Sequence, residues 1–524
     1  MGRCNEGETV KIHKPLMLII LDGWGWRENG ADNAIVHAKT PVWHALLRDY
    51  PHALLQASGE AVGLPAGVIG NSEVGHMNIG AGRVVYQDLS RIDLSIRDGS
   101  FFKNPTLQSI FKKIQDTDGT LHLMGLLSDA GVHSHINHLF ALLDAAKRFG
   151  FQKISVHCFM DGRDSSPHAG EKYLEQLENK LKSIPGASIG SIIGRYYAMD
   201  RDHRWDRTER ALCALITPSP HGDCVTIPSP LRGEGQGEGG ESLKAIQASY
   251  SKGITDEFVE PVILGRTIQN GDGVIFFNFR ADRTRQLTQK LAIDEGAPAL
   301  SGYVTMTQYH KSYPFPVLFP EDRPTYVLGE AFCEHGLRQF RIAESEKYAH
   351  VTYFINGGRE VKFDKEDRLL IQSPRDVATY DQKPEMSADA VTDEVVKIIR
   401  ARKHDIIILN FANADMVGHS GDIKATMRAC EAVDRNLGRI LPALRDVGGT
   451  AVITADHGNA EVMLDENGKP HTAHTLNPVP FFVIPPVKED LSLRSGGKLC
   501  DIAPTILKLL GITPPKEMTG TPLL

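Results

Sequence analysis

Pro15-Leu-Met-Leu-Ile-Ile-Leu-Asp22-Gly-Trp-Gly25 is an unbroken apolar run that ends on an aspartate. Two later stretches repeat the pattern. Asp405-Ile-Ile-Ile-Leu-Asn-Phe411 leads into Ala-Asn-Ala-Asp415, and Thr450-Ala-Val-Ile-Thr-Ala455 leads into Asp456-His457-Gly458. Runs of this length suit strands buried on both faces, as in a parallel α/β sheet. The sequence from Ile423 to Ile440, between the last two runs, has helical periodicity. In such sheets function collects at the carboxyl ends of the strands. Asp22, Asp415 and Asp456 are therefore expected to share one site.

That expectation has a topological consequence, because Asp22 is near the start of the chain and the other two are near the end. The two ends then form one discontinuous domain, residues 1–86 plus 321–524, and residues 87–320 form an inserted second domain. The insert has strand signals of its own, in Lys153-Ile-Ser-Val-His-Cys-Phe-Met160 and Gly273-Val-Ile-Phe-Phe-Asn-Phe279. The stretch from Phe319 to Pro324 has the proline and charge of a linker. Residues 217–241 are dense in Pro, Gly and Ser and read as a flexible, dispensable surface loop. They contain a formal G-x-G-x-x-G at Gly235, Gly237 and Gly240. No strand signal precedes it and no helix pattern opens on it, so a dinucleotide site is rejected. There is no Walker-type loop and no internal repeat.

The chain has 524 residues, 41% hydrophobic and 23% charged, with a formal charge of −7. This is the composition of a globular protein, and its acidity argues against a nucleic-acid scaffold. The seven cysteines are scattered and form no C-x-x-C pair, which suits a reducing compartment and buried thiols. No apolar run approaches membrane-span length. A cytoplasmic location is the default expectation.

The polar residues suggest metal and phosphate chemistry. Asp415 and His419 are spaced to face one way on a helix. Asp456 and His457 are adjacent at a strand end, and His471 and His474 lie in H-T-A-H-T. With Asp22 these give enough oxygen and nitrogen ligands for two divalent ions, and the mixture suits Mn²⁺, Zn²⁺, Fe²⁺ or Co²⁺. Each pair alone would read as an exposed helix pair or a core histidine; three groups at strand ends favour the metal. Ser72, in Gly67-Val-Ile-Gly-Asn-Ser-Glu-Val-Gly-His76, stands where a helix can begin. Locally, Asn71 or Ser72 reads as an N-cap; the functional alternative is a metal-activated nucleophile at a helix N-terminus. Arg163, Asp164, Arg195, Arg201, Arg280 and Arg283, with Lys347 beyond them, suggest a small polyanionic substrate if they converge, and surface ion pairs if they do not. His133, His135 and His138 read as a helix surface with one functional member.

The strings LDGWG, GNSEVGHMNIGAGRVVYQDLSRI, MDGRD, GRYYAMDRD, RWDR, FNFRADR, EKYAHVTYF, VATYD, PEMSA, DMVGH, TADHGNAE and HTAHT run from Leu21 to Thr475. Together they resemble the cofactor-independent phosphoglycerate mutases of the alkaline phosphatase superfamily. The resemblance implies an alkaline-phosphatase-like, mostly parallel sheet flanked by helices, with an inserted transferase-like α/β domain. It implies two Mn²⁺ ions, with Mg²⁺, Co²⁺ or Zn²⁺ as alternatives, and no 2,3-bisphosphoglycerate. Asp22, Ser72, Asp456 and His457 would hold one ion; Asp415, His419 and His474 would hold the other. His133, Arg163, Asp164, Arg195, Arg201, Arg280, Arg283 and Lys347 would contact the substrate. Ser72 would carry the phosphoryl group between 3- and 2-phosphoglycerate while Asp164 moves protons, Lys347 offsets charge, and closure of the middle domain excludes water. A monomer is implied. Ala414, Ser420, Ser165 and Ser166 depart from the family pattern without removing a ligand, and residues 217–241 look inserted. A phosphomonoesterase shares the metal core, phosphopentomutase is a further relative, and an inactive metal-binding scaffold is the alternative of another class.

Overall fold

The computed structural model describes residues 14–216, 240–488 and 491–524. The chain divides into two compact units, residues 1–87 with 323–524 and residues 88–322.

The first unit is built on an eight-stranded sheet. Its strand order is Glu366–Ile371, Gln339–Glu344, Ile406–Phe411, Leu16–Leu21, Thr450–Thr454, Val479–Ile484, His52–Gln56 and Gly497–Lys498. Val479–Ile484 runs antiparallel to both its neighbours; the other described pairings are parallel. Leu16–Leu21 is buried along its whole length, because helices cover a doubly wound sheet on both faces. The register aligns Leu21 with Phe411 and Ile20 with Thr454, so these strands end at one edge. The helix expected from Ile423 to Ile440 extends to Asp446, through Pro442.

The second unit has a six-stranded sheet in the order Val262–Ile263, Ala187–Gly194, Ile154–Met160, Leu121–Leu127, Gly273–Phe276 and Gly302–Thr305. All its pairings are parallel except that of the short edge strand Val262–Ile263. The strand expected over Gly273–Phe279 stops at Phe276.

Two sequence expectations are corrected here. A helix does open at Glu241, directly after Gly240, running to Tyr250; residues 217–239 of the expected loop lie outside the described residues. The histidines of V-H-S-H-I-N-H are not a helix surface. His135 caps the helix Ile136–Phe149 by accepting from Asn137 N, His133 is buried before it, and His138 is buried on the inner face with Nε2 2.9 Å from Asp93. Their i, i+2, i+5 spacing straddles a helix start, which periodicity alone does not reveal.

Cys158, Cys213, Cys430 and Cys500 are buried, Cys333 is half-buried, and Cys4 and Cys224 lie outside the described residues. No described helix is long and apolar enough to cross a membrane.

Glu344 closes its strand with a buried carboxyl that accepts from Ser387 N at 2.9 Å. Burial pushes its pKa from the ordinary 4.5 up to about 7. The folded chain thus holds this proton more tightly than the unfolded one. The contribution is full below pH about 4.5 and is lost as pH rises through about 7, an effect of about 3 kcal/mol at most. Glu344→Gln is expected to flatten this fall, gaining on the parent between pH 5 and pH 8. Urea unfolding of both proteins at the two pH values checks it; a parallel pH response contradicts it.

Candidate metal and nucleophile centre

Four neighbouring strands deliver the site. Asp22 follows Leu16–Leu21, Lys347 follows Gln339–Glu344, Asp415 and His419 lie on and just after the short helix Asn413–Gly418, and Asp456 and His457 follow Thr450–Thr454. Ser72 is the first residue of the helix Ser72–Ala81. Asn71 supplies its cap, accepting from Val74 N at 2.9 Å, so the Ser72 hydroxyl is released from capping. Gly75 lets the helix approach the strand end closely: a Cβ there would lie 2.8 Å from the Asp456 carbonyl oxygen.

Two ligand-like groups result. Asp415 Oδ1 lies 3.2 Å from His419 Nε2 and 3.1 Å from His474 Nε2, and the two nitrogens are 3.1 Å apart. Ligands about 2.0 Å from a tetrahedral ion stand about 3.3 Å from one another. His419 Nδ1 is 2.7 Å from Thr472 O and His474 Nδ1 is 2.9 Å from Gly70 O. Protons on those nitrogens leave both Nε2 lone pairs facing the carboxylate, an arrangement that a bound cation would satisfy. In the second group, Ser72 Oγ is 3.1 Å from Asp22 Oδ1 and 2.9 Å from His457 Nε2. His457 Nε2 lies 3.4 Å from Asp22 Oδ1 and 3.6 Å from Asp456 Oδ2. Asp456 Oδ2 is buried without a hydrogen-bond donor. The His474 ring stacks on His457, their centroids 3.8 Å apart.

The charge balance points the same way. Asp22, Asp415 and Asp456 are all buried. Lys347 Nζ sits among them, 2.7 Å from each of Asp22 Oδ1, Asp415 Oδ2 and Ser72 Oγ. Burial opposes its charge, but the carboxylates of Asp22 and Asp415 outweigh burial and hold Lys347 protonated far above neutrality. In return Lys347 keeps Asp22 and Asp415 ionised against their own burial. Burial likewise opposes protonation of His457, yet the Asp456, Asp22 and Asp415 carboxylates push its imidazole up to about 9. The Lys347 ammonium and the His457 imidazolium together still do not neutralise three buried carboxylates, so the centre fits added divalent cations.

The remaining predicted residues lie in the second unit, and they cluster there with acidic partners. Arg195 Nη1 bonds Asp161 Oδ1 at 2.6 Å and Asp164 Oδ2 at 2.5 Å. Asp282 takes Arg201 at 2.9 Å and Arg280 at 3.1 Å. His133 lies 3.7 Å from both Asp164 and Asp282, and burial followed by the Arg195 charge pushes its pKa down to about 4. Arg283, which donates to Met199 O at 3.2 Å, has its pKa lowered by burial and by the charges of Arg195, Arg201 and Arg163. Arg163 reaches Glu257 at 3.5 Å. Lys347 lies against Asp22, Ser72 and Asp415 in the first unit, not in this cluster.

His471 stands apart from the ligand groups. Several residues escaped sequence reasoning. Asp161 and Asp282 were visible only as sequence neighbours of Arg163 and Arg280; in the fold Asp161 pairs with Arg195, and Asp282 with Arg201 and Arg280. His76 on the helix Ser72–Ala81, Asn410 on the strand Ile406–Phe411, and Asn459 and Glu461 just after His457 line the centre. Asn459 donates to Asp415 Oδ1 at 3.1 Å. Glu461 ties the histidine loop through Asn459 N, Thr475 Oγ1 and Asn477 Nδ2.

A buried serine between two carboxylate–imidazole groups defines a metal-dependent hydrolase or transferase of phosphoryl-type esters, and residues 14–514 match the Metalloenzyme superfamily. The chain is 50% identical to a 2,3-bisphosphoglycerate-independent phosphoglycerate mutase of Syntrophotalea carbinolica, over 98% of this chain and 99% of that one. It is 51% identical to one of Moorella thermoacetica, over 98% and 99%. A solved structure of Leishmania mexicana phosphoglycerate mutase, at low cobalt concentration, aligns over 98% of both chains at 32% identity and a TM-score of 0.56. This chain belongs to the 2,3-bisphosphoglycerate-independent phosphoglycerate mutase family.

Proposed function

We propose that the chain is an isomerase that interconverts 3-phosphoglycerate and 2-phosphoglycerate through a phosphoserine on Ser72, without 2,3-bisphosphoglycerate. The observation that carries the reading is the buried Ser72 Oγ at a helix N-terminus, held by Lys347 at 2.7 Å and His457 at 2.9 Å. Asp22, Ser72, Asp456 and His457 would hold one divalent ion, and Asp415, His419 and His474 the other; Mn²⁺ is the proposed metal. When bound, the ions supply positive charge that favours an ionised serine oxygen and offsets charge on phosphoryl oxygens.

The chain's own groups do the rest. Ser72 Oγ, reacting as the oxyanion with its proton already released to solvent, forms the new bond to phosphorus as the bond from phosphorus to the glycerate oxygen breaks. The leaving oxygen takes a proton, for which Asp164 is the proposed donor, hydrogen-bonded to Arg195. The second glycerate hydroxyl then returns its proton to the Asp164 carboxylate and takes the phosphoryl group back, and Ser72 leaves as the oxyanion in which it entered. Lys347 Nζ stays protonated and offsets the charge on the transferring group. His133, Arg163, Arg195, Arg201, Arg280 and Arg283 bind carboxylate and phosphate, with arginine forks suited to both. Water must be kept from the phosphoserine, or transfer becomes hydrolysis. The reading places the enzyme in glycolysis and gluconeogenesis, as a cytoplasmic monomer with no nucleic-acid partner.

The test is to quench turnover in acid and digest: a single phosphoryl group on the Ser72 peptide supports the scheme, and its absence under rapid quench contradicts it. Chelation is a second test. Removing divalent ions should abolish turnover and lower Tm, and Mn²⁺ should restore both. Full turnover in chelator would contradict the assigned ligands.

A further inference from the structure

His76 is buried on the nucleophile helix and, with Asp22 and Asp456, offers donor atoms close enough for a further cation. Hydrogen-bond logic decides against that use. Asn410, on the strand Ile406–Phe411, places Nδ2 2.8 Å from Asp22 Oδ2 and 3.0 Å from His76 Nε2. An ionised Asp22 only accepts, so the Asn410 atom facing it must be the amide NH₂. The flipped amide would press two acceptors together in a buried place. The second hydrogen of the NH₂ meets His76 Nε2, which must present a lone pair. An imidazolium is excluded by the same contact, because its Nε2–H would face another donor. The His76 proton therefore sits on Nδ1, 2.8 Å from the Ser72 carbonyl oxygen and 3.2 Å from Asp456 Oδ2. With one nitrogen protonated and the other engaged, the ring has no lone pair left for a metal.

We propose that His76 and Asn410 are a positioning pair for the nucleophile. Asn410 occupies Asp22 Oδ2, so that Asp22 turns Oδ1 toward Ser72 Oγ, 3.1 Å away. The same amide fixes the His76 tautomer, and the Nδ1–H grips the Ser72 carbonyl in the turn that carries the hydroxyl. His350, whose ring centroid lies 5.2 Å from that of His76, completes the surroundings. The role rests on the reading of Ser72 as nucleophile; the tautomer does not.

The experiment is ¹⁵N-histidine NMR of the full chain loaded with diamagnetic Zn²⁺, with the His76 signals assigned against the His76→Asn protein. A neutral ring protonated on Nδ1 is expected, and an Nε2–H ring or an imidazolium overturns the proposal. Asn410→Asp, whose carboxylate only accepts, should move the proton to Nε2; an unmoved proton overturns the role of Asn410. Kinetics separates positioning from bulk structure. An asparagine amide reaches the Nδ1 position and a glutamine amide the Nε2 position. His76→Asn should keep turnover within about tenfold of the parent, while His76→Gln should lose about 100-fold, with KM within about twofold for both. Equal losses overturn the positioning role. If the parent has no mutase activity, the functional reading fails, and the NMR result still decides the tautomer.

Discussion

Ser72→Ala is expected to lose mutase turnover by a factor on the order of 10⁴ to 10⁶, as removal of a covalent nucleophile does, while the fold stays intact. The two effects separate because of where the residue sits. The helix cap is Asn71, which keeps its bond to Val74 N, and Ser72 occupies the first helical position, where alanine is a better helix former. Lys347 loses one of three partners and keeps the carboxylates of Asp22 and Asp415. Tm of the variant should therefore stay close to that of the parent. Asn71→Ala is the structural contrast: loss of the cap should cost about 1 kcal/mol and leave the hydroxyl in place. Measuring turnover and Tm for both variants separates the roles. Retained turnover in Ser72→Ala, or an activity loss matched by unfolding, contradicts the assignment.

The second large effect concerns Lys347. Its ammonium is the fixed positive charge among three buried carboxylates, and it touches the Ser72 hydroxyl as well. Lys347→Met keeps the stem and removes the charge. Turnover should fall about 10²- to 10³-fold, the scale for losing one preorganised charge at a reacting centre. Without divalent ions the variant should also lose about 3–5 kcal/mol of stability, because buried carboxylates are left uncompensated. Saturating Mn²⁺ should recover most of that loss, since bound ions supply the missing charge. Urea unfolding with chelator and with Mn²⁺ measures the gap. Equal destabilisation in both conditions would mean that Lys347 is mainly a packing residue.

Much of this architecture was legible in the residues. The apolar runs at Leu16–Leu21, Ile406–Phe411 and Thr450–Thr454 are too long and too continuous for exposed strands, and parallel pairing puts their following aspartates at one edge. The separation of Asp22 from Asp415 and Asp456 along the chain then requires an interrupted unit. Other features depend on contacts that no local pattern encodes. Asn410 looks like a polar blemish in an apolar strand until the helix carrying His76 is packed against it. Asp161 and Asp282 look like surface charges until Arg195, Arg201 and Arg280 fold onto them. The antiparallel strand Val479–Ile484 is as apolar as its parallel neighbours, so burial does not reveal its direction. His138 faces inward because the helix begins at Ile136, a boundary set by the His135 cap.

The most direct measurement supplies purified protein with 3-phosphoglycerate and Mn²⁺, omits 2,3-bisphosphoglycerate, and follows 2-phosphoglycerate through enolase together with free phosphate. Conversion without phosphate release, abolished by chelator, is the predicted result. Phosphate release without isomerisation would contradict the mutase assignment and make the serine and metal centre that of a phosphatase.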